Sequence, residues 1–422
     1  MSGARGPYAV AWSISLDGTR SGTTPDGRTY RGTGHAGRCR AGAGEGDGGV
    51  NSVGRVALVL ASSTGGTGRH VASLASGLVR EGVTVTVFGP LATEDRFGFT
   101  ATGARFHPVE IPASPQPADV MAVRTLRSAL GQPAGGGFDV VHAHGLRAGL
   151  VASLARRAGQ PLLVTWHNVV AAEGMRGWLY RRLERHVARR ADVTLGVCGD
   201  LVERARALGA KRAELAAVPA PPLPAPTRTR AEVRAELAVD EQQPLVLSVG
   251  RLHPQKGHDV LIAAAARWRG RVPMPLVAIA GDGPAREDLA GRIAVAGAPV
   301  RLLGHRSDVA ELLAAADVVV ATSVWEGQPL LVQEALRAGV PLVATAVGGV
   351  ADVVGDAAEL VPTGDVSAVA AAVTRLLDEP QTRAEYARRG PRRARTWPSE
   401  ADALAQVRAV YAGLLPGPEV VG

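Results

Sequence analysis

From residue 55 onward, short apolar segments alternate with longer segments whose apolar residues recur at helical spacing. A short apolar segment bounded by turn residues predicts a strand that is buried on both faces, as in a parallel sheet. Predicted strands of this kind cover residues 56–61, 83–88, 138–144, 161–166, 193–197, 245–249, 276–280, 300–303, 317–321 and 341–345. Strands alternating with helices predict an α/β chain, in which the loops after parallel strands meet at one ligand-binding edge.

A proline-rich segment separates two runs of predicted strands. Such segments form stiff extended linkers, and a chain of 422 residues is long enough for two or three domains. We therefore predict a disordered N-terminal extension, a first Rossmann-like domain, a linker, a second Rossmann-like domain and a C-terminal segment. These parts cover residues 1–53, 54–218, 219–227, 228–396 and 397–422. The extension is rich in glycine and has little to bury, so we expect it to be dispensable.

The net charge of +8 comes from arginine, since Lys211 and Lys256 are the only lysines. A basic surface suits nucleic acid, an anionic membrane face or anionic substrates. An aromatic content of 4% argues against nucleic acid, because aromatic side chains stack on bases. No apolar run approaches the roughly 18–20 residues that span a bilayer, and two cysteines make neither a disulfide framework nor a zinc site. We expect a cytoplasmic protein.

The most informative loop follows the predicted strand at 317–321. Pro329 is predicted at the first helical position and Gly339 just past the helix end. Glu326 and Gly327 then lie in a strand-to-helix loop, with Glu334 about one and a half turns into the helix. Free amides at a helix N-terminus bind anions such as phosphate. Two acids beside an anion site suit a sugar nucleotide, although acids are also common at helix starts for their own sake.

A second loop of this kind follows the strand at 245–249 and carries Arg251 and Lys256. Two fixed cations at the carboxyl edge of a sheet can bind a diphosphate. They matter most when the departing phosphate gains negative charge.

In the first half, the strand at 56–61 runs into a glycine-rich turn at residues 62–70, which allows a ligand to approach the backbone closely. A nicotinamide site needs an acid after the second strand, and Phe88-Gly89-Pro90 stands there, which argues against a dehydrogenase. Three histidines, His142, His144 and His167, lie at the ends of two later strands. A single histidine there would more often be structural; His144 is the strongest candidate for function.

Residues 175–190 carry six arginines around apolar residues at helical spacing, which predicts an amphipathic helix. Its basic face either is simply solvated or docks peripherally on anionic lipid headgroups at the inner membrane face.

Four motifs occur in the order typical of retaining glycosyltransferases of family 4, which have the GT-B fold. They are Gly250-Arg251 with Lys256-Gly257, Gly281-Asp282-Gly283-Pro284, Glu326-Gly327 with Glu334-Ala335, and Gly348-Gly349. The resemblance covers residues 55 to the C-terminus. It implies two Rossmann-like domains that face a central cleft, and a C-terminal helix near residues 400–414 that crosses back to the first domain.

The resemblance also implies roles for individual residues. Arg251 and Lys256 would bind the donor diphosphate, Glu326 the donor-sugar hydroxyls, and Glu334 the ribose. His144 would line the reaction centre, with Glu326, Arg251 and Lys256 also catalytic. The remaining implied donor contacts are the diphosphate for Gly66, the base for His305 and Arg306, and the phosphates for Gly327, Gln328, Pro329, Leu330 and Leu331.

These observations predict a retaining transfer of a sugar from a UDP- or GDP-type sugar nucleotide to an acceptor hydroxyl. The acceptor would be lipid-linked, part of the cell envelope or a secondary metabolite. We expect no cofactor and no essential metal, since no Asp-X-Asp follows a strand. Two alternatives stay open from sequence: an epimerase or hydrolase of nucleotide sugars on the same fold, and a catalytically silent binder.

Overall fold

The structure is a computed structural model that describes residues 11–14, 20–23, 29–32, 53–63, 65–117, 119–131, 137–169, 174–219 and 223–415. The chain divides into two units, Met1–Val50 and Asn51–Gly422. In the described part of the chain, no helix is long and apolar enough to cross a membrane.

In the first unit, three short strands form an antiparallel sheet: β1 (Ala11–Ile14), β2 (Arg20–Thr23) and β3 (Thr29–Gly32). These strands differ from the disorder predicted for residues 1–53. Their sequences contain aromatic and β-branched residues, which favour strands even where little can be buried. The other residues before 53 lie outside the described part, and disorder stays a prediction for them.

The first sheet of the second unit contains seven parallel strands, and its order is β10-β9-β8-β7-β4-β5-β6. The strands are β4 (Arg55–Leu60), β5 (Thr84–Gly89), β6 (Arg105–Pro108), β7 (Val140–His144), β8 (Leu162–Trp166), β9 (Val193–Gly196) and β10 (Ala213–Leu215). The central strands are buried along their whole length, as their continuous apolar sequences predict.

In the described residues of this first domain, six helices accompany the sheet. They are α1 (Gly66–Arg80), α2 (Leu91–Phe97), α3 (Asp119–Gly131), α4 (Leu146–Ala155), α5 (Gly174–Arg190) and α6 (Gly199–Ala207). Apolar residues on their inner faces close a single core over the sheet.

The second sheet contains six parallel strands in the order β13-β12-β11-β14-β15-β16. The strands are β11 (Leu245–Val249), β12 (Leu276–Ala280), β13 (Val300–Gly304), β14 (Val318–Ala321), β15 (Leu342–Thr345) and β16 (Glu359–Val361). Separate apolar clusters cover its two faces. Such a sheet with helices on both sides is a Rossmann-like domain.

Within residues 223–415, which the structure describes throughout, nine helices accompany the second sheet or follow it. They are α7 (Arg230–Glu236), α8 (His258–Ala265), α9 (Arg286–Ala296), α10 (Val309–Ala315), α11 (Leu330–Arg337), α12 (Val350–Val354), α13 (Val366–Asp378), α14 (Pro380–Ala394) and α15 (Glu400–Ala412).

The last helix, α15, packs on the first domain rather than the second. Val407, Val410 and Tyr411 belong to the core of the first sheet. The Tyr411 hydroxyl also forms a 2.8 Å hydrogen bond with Nδ1 of His142. Helix α15, which follows the second domain in the sequence, therefore connects the two domains by packing on the first.

In each large sheet, the chain first adds strands on one side of a central pair and then adds the remaining strands on the other side. The pair is β4 with β7 in the first sheet and β11 with β14 in the second. Loops diverge at such a switch point and leave a crevice at the carboxyl ends of the strands, which is where ligands bind.

Candidate active site

The loops from both switch points line one cavity of about 1560 Å³. Every residue to which the family resemblance assigns a role lies on its wall: Gly66, His144, Arg251, Lys256, His305, Arg306, Glu326, Gly327, Gln328, Pro329, Leu330, Leu331 and Glu334. The first domain supplies Gly66 and His144, and the second domain supplies the others. The structure thus brings together residues that are up to 268 positions apart in the sequence.

Lys256 and Glu326 form the charged centre of the second-domain wall. Nζ of Lys256 lies 2.5 Å from Oε1 of Glu326, and Oγ of Ser323 donates to the same oxygen at 2.6 Å. The other carboxylate oxygen, Oε2, has no hydrogen-bond partner among the described residues. The carboxylate is therefore fixed through one oxygen and can accept a hydroxyl through the other. Arg251 lies exposed on the same wall.

The Glu326 loop is locked against the glycine turn at Gly348 and Gly349. The amide of Gly349 donates to the carbonyl of Glu326 at 2.9 Å. Gly348 has φ of +51°, and a Cβ at this position would lie 1.9 Å from the same carbonyl oxygen. Only glycine fits there, which explains physically why two glycines follow the strand at Leu342–Thr345.

We predict that Gly348→Ala displaces Glu326 and lowers the catalytic activity of this site about tenfold or more. Gly364→Ala is the matched control, because Gly364 also has positive φ (+75°) but open space around its Cβ position. Both variants should lose about 1–2 kcal/mol from the left-handed backbone. Unfolding curves and initial rates distinguish them, and equal activity in the two variants would contradict this account of the turn.

The two domains touch across the cavity at the same loop. Nε2 of Gln328 donates to the carbonyl of Val197 at 3.0 Å. A Cβ on Gly327 would lie 2.6 Å from the carbonyl of His167, and one on Gly66 would lie 3.7 Å from Leu330. The first-domain backbone therefore sits directly above the start of α11.

The helix α11 begins at Leu330, one residue later than predicted, and Pro329 precedes it in an extended conformation. Pro329 has no backbone N–H to donate, so proline is tolerated at the residue before the helix as well as at the predicted first helical position. Glu334 lies in the second turn and is partly buried. Burial raises the pKa of its carboxyl group, while Arg69 and Arg337 act in the opposite direction.

His305 is exposed on the cavity wall, but the guanidinium of Arg306 is already paired. It lies 2.6 Å from Asp308 and 2.6 Å from Glu236, and these acids raise its pKa further above the ordinary value. Arg228 pairs with the same two acids. If residue 306 contacts the nucleotide base, it therefore does so through its backbone rather than through a free guanidinium.

Four histidines cluster at the first-domain wall, where His70, His144 and His167 line the cavity and His142 lies behind them. Nδ1 of His144 lies 3.3 Å from Nε2 of His167. The ring of His70 is centred 5.6 Å from each of them, and that of His142 lies 4.1 Å from His144. Nε2 of His144 has no hydrogen-bond partner in the described part of the chain.

Burial keeps this cluster neutral. It lowers the pKa of His70 to about 4 and that of His167 to about 3, with the neighbouring rings adding to the effect on His167. The pKa values of His142 and His144 also lie well below the ordinary 6.5. A positive charge on one ring would further disfavour protonation of the neighbouring rings.

Acid should therefore destabilise the fold in a defined pH window. Between pH 6.5 and about 4, the unfolded chain binds protons that the folded histidines refuse, so the free energy of unfolding falls as the pH falls. Each histidine kept neutral contributes up to about 1.4 kcal/mol per pH unit. Urea unfolding in this window should show a shallower pH slope for His70→Gln than for wild type or the exposed control His107→Gln. An unchanged slope in His70→Gln would contradict the assignment.

Sequence reasoning missed several residues of this site. His70 lies at the start of the second turn of α1, and the glycine turn before that helix was the available signal. Tyr411 supports the cluster from α15: His142 bonds Tyr411 through Nδ1 and Oγ1 of Thr165 through Nε2 at 2.7 Å. No local pattern could show that a residue 269 positions away would fix this ring.

Known families match both domains. Residues 229–393 match the sequence model described as glycosyl transferases group 1, and residues 65–221 match a glycosyl transferase 4-like domain. Alpha-D-kanosaminyltransferase of Streptomyces kanamyceticus is 32% identical over 275 residues, which cover 58% of this chain and 70% of that protein. D-inositol 3-phosphate glycosyltransferase of Salinispora tropica is 36% identical over 299 residues, which cover 63% of this chain and 62% of that protein.

Solved structures share the fold. HepE of Anabaena in complex with UDP superposes with a TM-score of 0.70 at 20% identity, covering 85% of this chain and all of that one. Sucrose-phosphate synthase of Thermosynechococcus elongatus gives a TM-score of 0.69 at 21% identity, covering 86% of this chain and 99% of that one. Two Rossmann-like domains that face one cleft define the GT-B fold. The chain belongs to the retaining glycosyltransferases of family 4 within that fold, and it is a transferase.

Proposed function

We propose that this protein transfers a sugar from a UDP- or GDP-type sugar nucleotide to an acceptor hydroxyl, with retention of configuration at the anomeric carbon. The observation that carries the proposal is the pairing of Lys256 with Glu326 beside Arg251, in the same cavity as His144. A cation pair and an oriented carboxylate match the diphosphate and the sugar of such a donor.

Arg251 and Lys256 are proposed to bind the diphosphate. The amides at the start of α11 add partial positive charge at the same place. Negative charge grows on the diphosphate as the glycosidic bond breaks, so these groups stabilise the transition state more than the bound donor. The backbone from Gly327 to Leu331 is proposed to complete the phosphate contacts, with every residue except Pro329 able to donate an N–H.

Glu326 is proposed to orient the donor sugar, because its Oε2 atom is free to accept a hydroxyl. Glu334, four residues into α11, is proposed to accept the two ribose hydroxyls. Gly66 faces the diphosphate from the first domain, and His305 and Arg306 lie where the base would be.

Among the described residues, no side chain on the cavity wall is an evident covalent nucleophile. We propose that the acceptor hydroxyl attacks from the face that the diphosphate leaves, and that its proton passes to the departing phosphate oxygen. The new bond then has the configuration of the old one. His144 lines this reaction centre in its neutral form.

The donor test is a thermal-shift panel of UDP-, GDP- and ADP-sugars. A ligand at 100 times its dissociation constant stabilises the fold by about 2.7 kcal/mol, which is easily measured. The UDP complex of HepE supports UDP as the first choice. Transfer is then followed by NMR of the product, in which a product of inverted configuration would refute the proposal.

Metal independence is also part of the proposal, since Arg251 and Lys256 supply the charge that a divalent ion would otherwise supply. Excess EDTA is expected to leave the transfer rate unchanged within about twofold. A loss of activity that Mg²⁺ or Mn²⁺ restores would contradict this proposal.

An epimerase or hydrolase would consume the donor without an acceptor, so product analysis in the absence of acceptor separates these activities from transfer. The acceptor hydroxyl is proposed to belong to a lipid-linked, cell-envelope or secondary metabolite. Peripheral membrane contact through residues 176–190 is proposed as well.

A further inference from the structure

We propose that the whole outer helix layer of the first domain docks on an anionic lipid bilayer, and that the acceptor enters the cleft from that bilayer on a lipid. The layer consists of α3, α4 and α5, with α4 packed between the other two. The inference rests on the proposed function, because a glycosyltransferase requires an acceptor, whereas an epimerase or a hydrolase of nucleotide sugars does not.

The layer is strongly basic. Its three helices contain nine arginines and two acids. Both acids are engaged within the protein, Asp119 with Arg147 at 2.5 Å and Glu184 with Arg204 at 2.6 Å. Among the described residues, none of the six arginines of α5 has an acidic partner. Each arginine near an anionic bilayer raises the partition coefficient about fivefold.

Large apolar side chains are exposed on the same layer. Met175 is 82% exposed and Met121 is 59% exposed, and Val120, Trp178 and Leu179 accompany them. The guanidinium of Arg182 lies 4.9 Å from the centre of the Trp178 ring. A tryptophan with methionine, leucine and arginine on one outward face is the composition that favours the interface of a bilayer.

These apolar residues lie near the cleft. Helices between parallel strands run antiparallel to them, so the first turns of α3 and α5 lie at the carboxyl edge of the sheet. His144 and His167 stand at the same edge. A bilayer in contact with Met121 and Trp178 is thus beside the acceptor half of the cavity, while the arginines of α5 extend the contact away from it.

Charge also argues against a second copy of this chain as the occupant. A symmetric dimer through this face would place the arginines of one α5 against those of the other, while the two acids of the layer's helices, Asp119 and Glu184, are already paired within each copy. An anionic headgroup layer has the complementary charge and accepts the apolar side chains too.

The test is sedimentation of the full chain with phosphatidylcholine vesicles, with and without about one third phosphatidylglycerol. Wild type should bind the anionic vesicles, and the double variant Arg182→Glu with Arg185→Glu should bind at least about 25-fold more weakly. Trp178→Ser should also weaken binding. Arg388→Glu with Arg392→Glu is the control, because it reverses two exposed arginines on α14 and should bind like wild type.

Thermal shift with UDP separates this inference from the proposed function, since all variants should bind UDP equally. Absence of wild-type binding to anionic vesicles, equal binding to neutral ones, or equal weakening by the α14 control would overturn the docking surface. Binding of duplex DNA in preference to vesicles, or a dimer that the α5 variant abolishes, would overturn it as well. In each case UDP binding would leave the proposed function standing.

Discussion

Replacing Glu326 with alanine is expected to lower the rate of glycosyl transfer by about 10²- to 10³-fold while the protein still folds. The change removes the carboxylate that Lys256 and Ser323 hold in place. It takes away the proposed contact to the donor sugar and leaves the ammonium of Lys256 without its partner. Because the diphosphate contacts remain, UDP should still raise the melting temperature.

The controls for this variant separate chemistry from folding. Glu287→Ala removes an exposed acid on α9 and should behave like wild type. Ser323→Ala removes one hydrogen bond to the carboxylate and should cost less than Glu326→Ala. Near-normal turnover in Glu326→Ala would reject its proposed role.

Replacing Lys256 with alanine is expected to lower kcat by about 10²- to 10³-fold, with a smaller loss of donor affinity. The ammonium group would act mainly on charge that develops as the diphosphate departs, so the transition state loses more than the bound donor. Arg251→Ala should act in the same direction. Steady-state kinetics with varied donor concentration give kcat and KM separately.

Lys211→Ala is the natural control, because Lys211 is the only other lysine of the chain and pairs with Asp192 on the surface. Its activity should match wild type. A donor with a better leaving group should partly rescue Lys256→Ala, since it needs less stabilisation of the departing charge. A change confined to KM, with kcat unchanged, would contradict a role in leaving-group stabilisation.

The sequence predicts the fold best where strands are buried on both faces. The strands at Leu245–Val249 and Leu276–Ala280 were predicted to the residue, because short and almost wholly apolar runs bounded by turn residues are typical of a parallel sheet. The short edge strands β6, β10 and β16 were missed. Their residues are partly exposed and lack an apolar pattern.

Helix α14 shows a different limit of sequence reasoning. It contains Pro391 in its interior, which ordinarily predicts a helix end. Gly390 packs against the backbone of Leu336, so contact with α11 favours a helix there despite its own sequence. Tertiary packing of this kind overrides local propensity.

In the site, the loops after strands indicate which residues reach the cleft, because parallel strands share one carboxyl edge. Which of those residues bind one another depends on how neighbouring loops pack, both within the second domain and between the two domains. The pairing of Lys256 with Glu326 and the closure of Arg306 by its neighbours could therefore come only from the structure. The same is true of the link from Tyr411 to His142, which joins the chain's last helix to the first sheet.

The crystal structure of the protein with UDP tests the central claim most directly. We predict diphosphate oxygens within about 3.5 Å of both the Arg251 guanidinium and the Lys256 ammonium, with the backbone at Gly66 facing them from the other domain. A nucleotide bound elsewhere, or one whose phosphates touch neither cation, would contradict the account.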